Sequence, residues 1–311
     1  MDISIIIPVY NAEKYLKRCV ESVINSFETS PNIKGEILLI DNNSTDKSPA
    51  IMKSLKQKND RLINILKITK PGASAVRNYG MKKARGEYVW FVDADDAISK
   101  NAINKLLCQA NQKKADLVML RAERIYPDGQ RNYLPAIDPN NVSYKSRFVR
   151  YGIPPWQVIF HRKWWLDNGF SFKEGVIHED MELMSALILA TDSFTSVDET
   201  LYFYYQNPGS VLHKNTFDAH IFDIHPNLES LYQRFVDKGA ENDYHDELEY
   251  FFIWNLLIDS AKDFAKFPEG KSGFGRSRKL LKKYFPRWRR NKFLAQKSLK
   301  VQILVRLNYY K

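Results

Sequence analysis

Three short apolar runs, SIIIPV at 4–9, EILLI at 36–40 and YVWFV at 88–92, stop abruptly at polar residues, and segments with helical spacing separate them. Further strand-like runs stand at 62–67 and 116–120. Between the first two, Tyr15, Leu16, Cys19, Val20, Val23, Ile24 and Phe27 fall on one helical face. The spacing predicts helices over 13–27, 46–58 (with Ser44 or Asp46 as N-cap), 74–84 and 101–111. Near-continuous apolar strands alternating with helices imply an α/β fold, a mostly parallel Rossmann-like sheet flanked by helices. Ligands of such sheets bind beyond the carboxyl ends of the strands. There the chain places Tyr10-Asn11, Asp41-Asn42-Asn43-Ser44 and Asp93-Ala94-Asp95-Asp96. All three are expected at one edge, around one crevice.

The remainder is less regular. Residues 122–155 contain five prolines and read as an irregular connection; 156–206 mix short helices and strands; 217–265 read as helical. The expected division is a domain at 1–215, with a nucleotide-binding half at 1–120 and an acceptor half at 121–215. A helical C-terminal region at 216–311 follows. With 311 residues and an apolar fraction of 44%, a large core is affordable. Met1-Asp2 leads straight into ISIIIPVY, so no signal peptide is expected, and no run of 18 apolar residues occurs to suggest a spanning helix. Cys19 and Cys108 lie far apart, as reduced thiols would. A cytoplasmic protein is expected.

The net charge of +11 is concentrated at one end: residues 271–311 hold fourteen Lys/Arg and no Asp/Glu, leaving −3 for the other 270 residues. The tail interleaves cations with Phe, Trp, Tyr and Leu. A solvated basic helix pair and nucleic-acid binding would both use such charges. No nucleic-acid recognition motif accompanies them, and the mixture suits an anionic membrane surface.

Asp93-x-Asp95 at a strand end suits a divalent cation that grips a diphosphate. The side chains are short, and Mg²⁺ and Mn²⁺ take oxygen ligands, often one or two carboxylates plus substrate phosphates. Alone, Asp95 or Asp96 would equally well open the next helix.

The stretches IIIPVYNAEKYLKRCVESV, ILLIDNNSTDKS and KPGASAVRNYGMKKARGEYVWFVDADD, in this order and spacing, resemble the family 2 inverting glycosyltransferases of GT-A fold. VIHEDMELMSALI at 176–188 and YFYYQNPGSVLH at 202–213 extend the likeness more loosely. The resemblance implies the following roles. Pro8 and Tyr10 close strand one at the nucleobase. Asp41 accepts from uracil N3–H. The family often has Asp-Asp-Gly-Ser where this chain has Asp-Asn-Asn-Ser; Asn tolerates the left-handed backbone that the lost Gly would serve. Arg77 reaches the donor phosphates or the Asp93/Asp95 carboxylates. Asp95 binds the metal, and Asp93 the ribose or the metal's surroundings. Asp96 orients through a water or caps the following helix. Asp180, with Glu179 as alternative, is the general base. His213 is a candidate third metal ligand. Trp156 is the candidate acceptor platform, while Trp164 and Trp165 are as well suited to the core.

The expected activity is metal-dependent transfer of a sugar from a UDP-sugar to an acceptor hydroxyl. The acceptor is a glycan or lipid-linked molecule of cell-surface biosynthesis, met by a peripheral enzyme at the inner membrane face. A nucleotidyltransferase would need a glycine-rich, basic loop after strand one, where Tyr10-Asn11-Ala12-Glu13 stands. A non-enzymatic adaptor acting through the tail would be indifferent to Asp95→Ala.

Overall fold

The structure is a computed structural model and describes residues 1–141, 143–207 and 216–311. The chain forms two compact units that interleave along the sequence. The first comprises 1–141, 154–175 and 191–207; the second comprises 143–153, 176–190 and 216–311. The sequence expectation drew a single cut at 215/216.

Among the described residues of the first unit, nine strands form one mixed sheet. Its parallel part is β3 (Ile63–Lys67), β2 (Gly35–Asp41), β1 (Ile3–Val9) and β4 (Tyr88–Phe91), in that spatial order. Helices α1 (Leu16–Glu28), α2 (Ser48–Lys58) and α3 (Ala73–Lys83) make the crossovers. β1 is buried along nearly its whole length, which is why it reads as an unbroken apolar run. α1 buries Leu16, Cys19, Val20, Val23 and Phe27, the predicted stripe. Pro8 is tolerated inside β1 because pairing with β4 ends at Ile6↔Phe91, so a missing N–H breaks no ladder there. Val9 pairs with Asp41 across β1 and β2. That register aligns the polar ends of the two strands.

Glu36 is a carboxylate buried inside this parallel sheet, and donors surround it. Ser4 Oγ donates to it at 2.8 Å, the Arg85 N–H at 2.9 Å, and the Arg85 guanidinium at 3.0 and 2.6 Å. Gly86 makes this possible: a Cβ there would lie 2.4 Å from the Ser4 nitrogen. Burial pushes the Glu36 carboxyl up, but the bonds from Arg85 and Ser4 outweigh it and hold it below 4.5. A depressed folded pKa means stability present at neutral pH and lost as pH falls through the folded value. Glu36→Ala is expected to lower the unfolding free energy by about 2–3 kcal/mol at pH 7, by stranding buried donors. Urea titrations should show that difference shrinking below pH 4.

Beyond β4 the sheet turns antiparallel. β4 pairs with β8 (Val158–His161), which pairs with β6 (Leu117–Ile125); β6 runs parallel to β9 (Phe194–Tyr205), which carries the short β5 (Ala97–Ile98) at the edge. α4 (Ala102–Lys113) and α6 (Arg162–Asp167) cover this half. The stretch expected to be irregular is so only in part. β6 continues to Ile125 and turns through Tyr126-Pro127-Asp128-Gly129 into β7 (Arg131–Leu134), with Gly129 at φ 85°. Proline and glycine here punctuate a hairpin rather than dissolve structure.

The second unit is helical: α5 (Tyr144–Tyr151), α7 (Glu179–Met184), α8 (Ile224–Asp237), α9 (His245–Trp254), α10 (Ser260–Lys266), α11 (Ser272–Tyr284), α12 (Lys292–Ala295) and α13 (Leu299–Tyr310). Aromatic rings of Phe235, Phe252, Phe264, Phe285 and Trp288 fill its core. A single π-turn, Asn255–Asp259, joins α9 to α10. Asn308 of α13 donates to the Leu257 carbonyl at 2.8 Å, satisfying an acceptor within that turn.

Candidate active site

The carboxylates after β4 sit at the carboxyl edge of the sheet, each in a different setting. Asp93 is half-buried; its Oδ1 meets the Arg77 guanidinium of α3 at 3.2 Å. Arg77 itself is only 7% exposed, so the pair is a fixed, charge-assisted contact. Asp95 is half-buried and accepts at Oδ2 from Asn207 Nδ2 at 3.1 Å. Burial, then the charge of Asp93, pushes the Asp95 carboxyl up. Asp96 is fully buried and serves the scaffold: it accepts from Tyr202 OH at 2.6 Å and from the Tyr205 N–H at 2.8 Å. It therefore ties the turn to β9 rather than capping a helix. Burial and the two neighbouring aspartates push its carboxyl well up.

Behind this turn, Cys19 Sγ lies 3.3 Å from the Asp93 carbonyl, and its buried thiol is pushed up by burial and by the aspartates. Arg18, the preceding residue of α1, donates to the Asp95 carbonyl and lays its guanidinium 3.7 Å from the centroid of the Tyr205 ring. The sequence expectations give Arg18 no role, and place Asn207 only within the stretch YFYYQNPGSVLH, without a contact to Asp95. Arg18 lies within a helical pattern whose apolar members drew the attention, and Asn207 reaches Asp95 from 112 residues away. The quoted stretch YFYYQNPGSVLH was the available signal.

The ends of β1 and β2 are stitched together by side chains. Asn11 Oδ1 accepts from the Thr45 N–H at 2.8 Å, and Ser44 Oγ accepts from the Asn11 N–H at 3.1 Å. Asp41, 6% exposed, accepts from the Ser44 N–H at 3.1 Å. The departure from Asp-Asp-Gly-Ser has a structural logic. Asn42 donates to the carbonyls of Ile68 and Lys70 and accepts from the Gly72 N–H, which a carboxylate could do only in part. Asn43 takes the left-handed conformation at φ 60°. Tyr10, by contrast, is 60% exposed and presents its ring to solvent.

Asn78 Nδ2 and Oδ1 bracket Phe172 through its carbonyl and N–H at 2.8 and 2.9 Å, and Glu174 pairs with Lys70. The segment after α6 is thereby pinned to α3, beside Arg77. Trp156 corrects an expectation. It is 6% exposed, stacks on Tyr202 at 4.5 Å and lies 5.2 Å from Tyr204. Its stacking surface is spent on the core and is not an acceptor platform. Trp164 and Trp165 are buried too. His213 lies outside the described residues.

Glu179 and Asp180 belong to the second unit, on the first turn of α7, both half-buried. His178 precedes them at φ 57°, a strained conformation for a residue with a side chain. Two side chains hold it through three hydrogen bonds. Asn227, fully buried, donates to the Ile177 and His178 carbonyls at 2.8 and 3.2 Å, and Asp223 accepts from the Ile177 N–H at 3.1 Å. The helix start is thus fixed by α8.

The Glycosyl transferase family 2 model matches residues 4–165, more than half of the chain. The uncharacterized glycosyltransferase EpsJ of Bacillus subtilis is 28% identical over 254 residues, covering 76% of this chain and 72% of that one. The minor teichoic acid biosynthesis protein GgaB of the same organism is 28% identical over 86% of this chain, which spans 30% of GgaB. The crystal structure of Staphylococcus aureus TarS 1–349 in complex with UDP-GlcNAc superimposes with a TM-score of 0.77 at 18% identity, covering 99% of this chain and 89% of that one. The sheet order, the carboxylate turn after β4 and the match of the family model agree: this chain belongs to glycosyl transferase family 2 and has the GT-A fold.

Proposed function

We propose that the chain transfers a sugar from a UDP-sugar to an acceptor hydroxyl by a single inverting displacement, in cell-surface glycan synthesis. The observation that carries this is the gathering, at the carboxyl ends of β1, β2 and β4, of an exposed ring, a buried carboxylate and a carboxylate pair of which Arg77 holds one and Asn207 the other. TarS, which shares the fold, has been crystallised with UDP-GlcNAc and with UDP. GgaB, similar over most of this chain, is named for teichoic acid biosynthesis.

In this reading Pro8 and Tyr10 receive the uracil, and Asp41 accepts its N3–H. Cytosine has an acceptor at N3, so a carboxylate there selects uracil. Asp41→Ala is expected to weaken UDP binding by about tenfold or more, the usual loss for a hydrogen bond to a charged group, with no comparable change for CDP; competition titrations check it.

Asp95 and Asp93 would hold Mn²⁺ or Mg²⁺. The fit is good: two short oxygen-donor side chains, half-buried, repel one another, and Arg77 offsets the charge of Asp93 alone. The bound cation supplies charge neutralisation for the departing diphosphate. Arg77 keeps Asp93 in place, while Arg18 and Asn207 keep Asp95 in place. Asp180 takes the acceptor proton as the hydroxyl oxygen attacks the anomeric carbon from the face opposite the leaving group. The acceptor is a lipid-linked glycan presented at the inner face of the cell membrane, a setting supported by the basic stretch 271–311.

A screen of nucleotide sugars with Mn²⁺ tests the proposal. Hydrolysis or thermal stabilisation is expected with a UDP-sugar and not with its GDP or CDP counterparts. Stabilisation by GDP-sugars alone would refute the uridine assignment.

A further inference from the structure

Among the described residues, most of the outer face of α13 is left exposed, while its inner face is tightly held. Val305 and Asn308 are buried, Asn308 donates to Leu257, and Arg278 donates to the Tyr309 carbonyl; at the helix end Arg289 donates to the Tyr310 hydroxyl while the Tyr310 ring stays exposed. The opposite face carries Leu299, Ile303, Leu307 and Tyr310 at i, i+4, i+8 and i+11, with Leu304 beside them. Leu299 is 71% exposed, Leu307 58% and Tyr310 69%. Among the described residues, five of the eleven exposed large apolar side chains lie on this one twelve-residue helix. Scattered exposed apolar residues need no explanation, but a stripe along a single helix face does.

Charge indicates what covers it. Lys300, Arg306 and Lys311 are exposed among the apolar residues, and α13 contains no acidic residue. Elsewhere in the basic stretch some cations are already neutralised, as Lys283 is by Glu229 and Lys292 by Asp246. Among the described residues, no such acid pairs with Lys300, Arg306 or Lys311. We infer that the outer face of α13 is an in-plane anchor for anionic lipid: Leu299, Ile303, Leu307 and Tyr310 enter the boundary between headgroups and acyl chains, and Lys300, Arg306 and Lys311 meet the lipid phosphates. The inference rests on the membrane-side reading of 271–311 and localises it to one surface. The apolar stripe is too short and too cationic to span, and no described helix is long and apolar enough to cross a membrane.

Vesicle flotation of the full chain, without donor or metal, tests it. Vesicles of phosphatidylglycerol and phosphatidylcholine in roughly equal amounts should bind the protein at least about tenfold better than phosphatidylcholine alone, the preference weakening with salt. Combining Ile303→Glu with Leu307→Glu should abolish most of that binding while leaving the melting temperature and sedimentation coefficient unchanged. An Asp95→Asn protein should float like the wild type, which separates this test from that of sugar transfer. Equal binding to both vesicle types, or undiminished binding of the double variant, would overturn the inference. So would a wild-type dimer that the double variant dissolves, because the stripe would then be covered by a second copy.

Discussion

Asp180→Asn is expected to slow transfer by about a thousandfold or more, within the range for loss of a general base, while UDP affinity stays within about twofold of wild type. The substitution is nearly isosteric. The start of α7 is fixed from outside the side chain by Asn227 and Asp223, so the backbone at 178–180 should not move. What disappears is the capacity to take a proton from the acceptor hydroxyl. Because the residues proposed to bind the donor belong to the first unit and Asp180 to the second, an effect confined to kcat would assign Asp180 to chemistry rather than to nucleotide binding. Glu179→Gln is the comparison. It changes an adjacent acidic residue of the same first turn and should cost less than about tenfold. If the two effects are reversed, Glu179 is the base; if neither variant loses activity, the inverting mechanism on this motif fails.

Asp95→Asn is expected to cut kcat/KM by about a thousandfold and, in the same protein, to leave the melting temperature unchanged or raise it. The two outcomes have one cause. Burial and the charge of Asp93 already disfavour the Asp95 carboxylate, so removing its charge relieves the fold. Arg18 donates to the Asp95 carbonyl, which the substitution keeps. A residue that destabilises its own site yet is needed for turnover is the pattern of a functional carboxylate. An Asp95→Asn protein that melted several degrees lower would point instead to a structural role. At Asp96 burial and the neighbouring aspartates also disfavour the carboxylate, but its hydrogen bonds to the scaffold decide, and Asp96→Asn should lower the melting temperature. Asp96 accepts from Tyr202 and Tyr205, and an amide can replace only part of that pattern.

The parallel half of the fold was legible because its inner strands are buried on both faces. Such strands appear as short unbroken apolar runs, and 4–9 and 36–40 match β1 and β2 to within a residue or so, while 62–67 matches the half-buried edge strand β3 through its Ile63, Ile65 and Leu66. The convergence of Tyr10, Asp41 and Asp93–Asp96 on one edge followed from that topology. What lay beyond β4 was less legible for a physical reason. β8 and β9 pair with partners far along the chain, and no local periodicity encodes whether such a pairing is parallel. The prolines at 127 and 135 suggested irregular chain, although Tyr-Pro-Asp-Gly is a hairpin turn. Trp156 illustrates a different limit. A large ring near a sugar site serves the core and an acceptor equally well by composition, and only its stacking on Tyr202 decides. The contact from Asn207 to Asp95, and the clamp that Asp96 places on β9, join residues more than a hundred positions apart.

The central claim, that the carboxylates after β4 hold a divalent cation against the diphosphate of UDP, is tested most directly by calorimetric titration of UDP with and without Mn²⁺. The account predicts that Mn²⁺ tightens UDP binding by about tenfold or more in the wild type and has no effect on Asp95→Asn. UDP binding indifferent to Mn²⁺, or equally Mn²⁺-dependent in the variant, would contradict it.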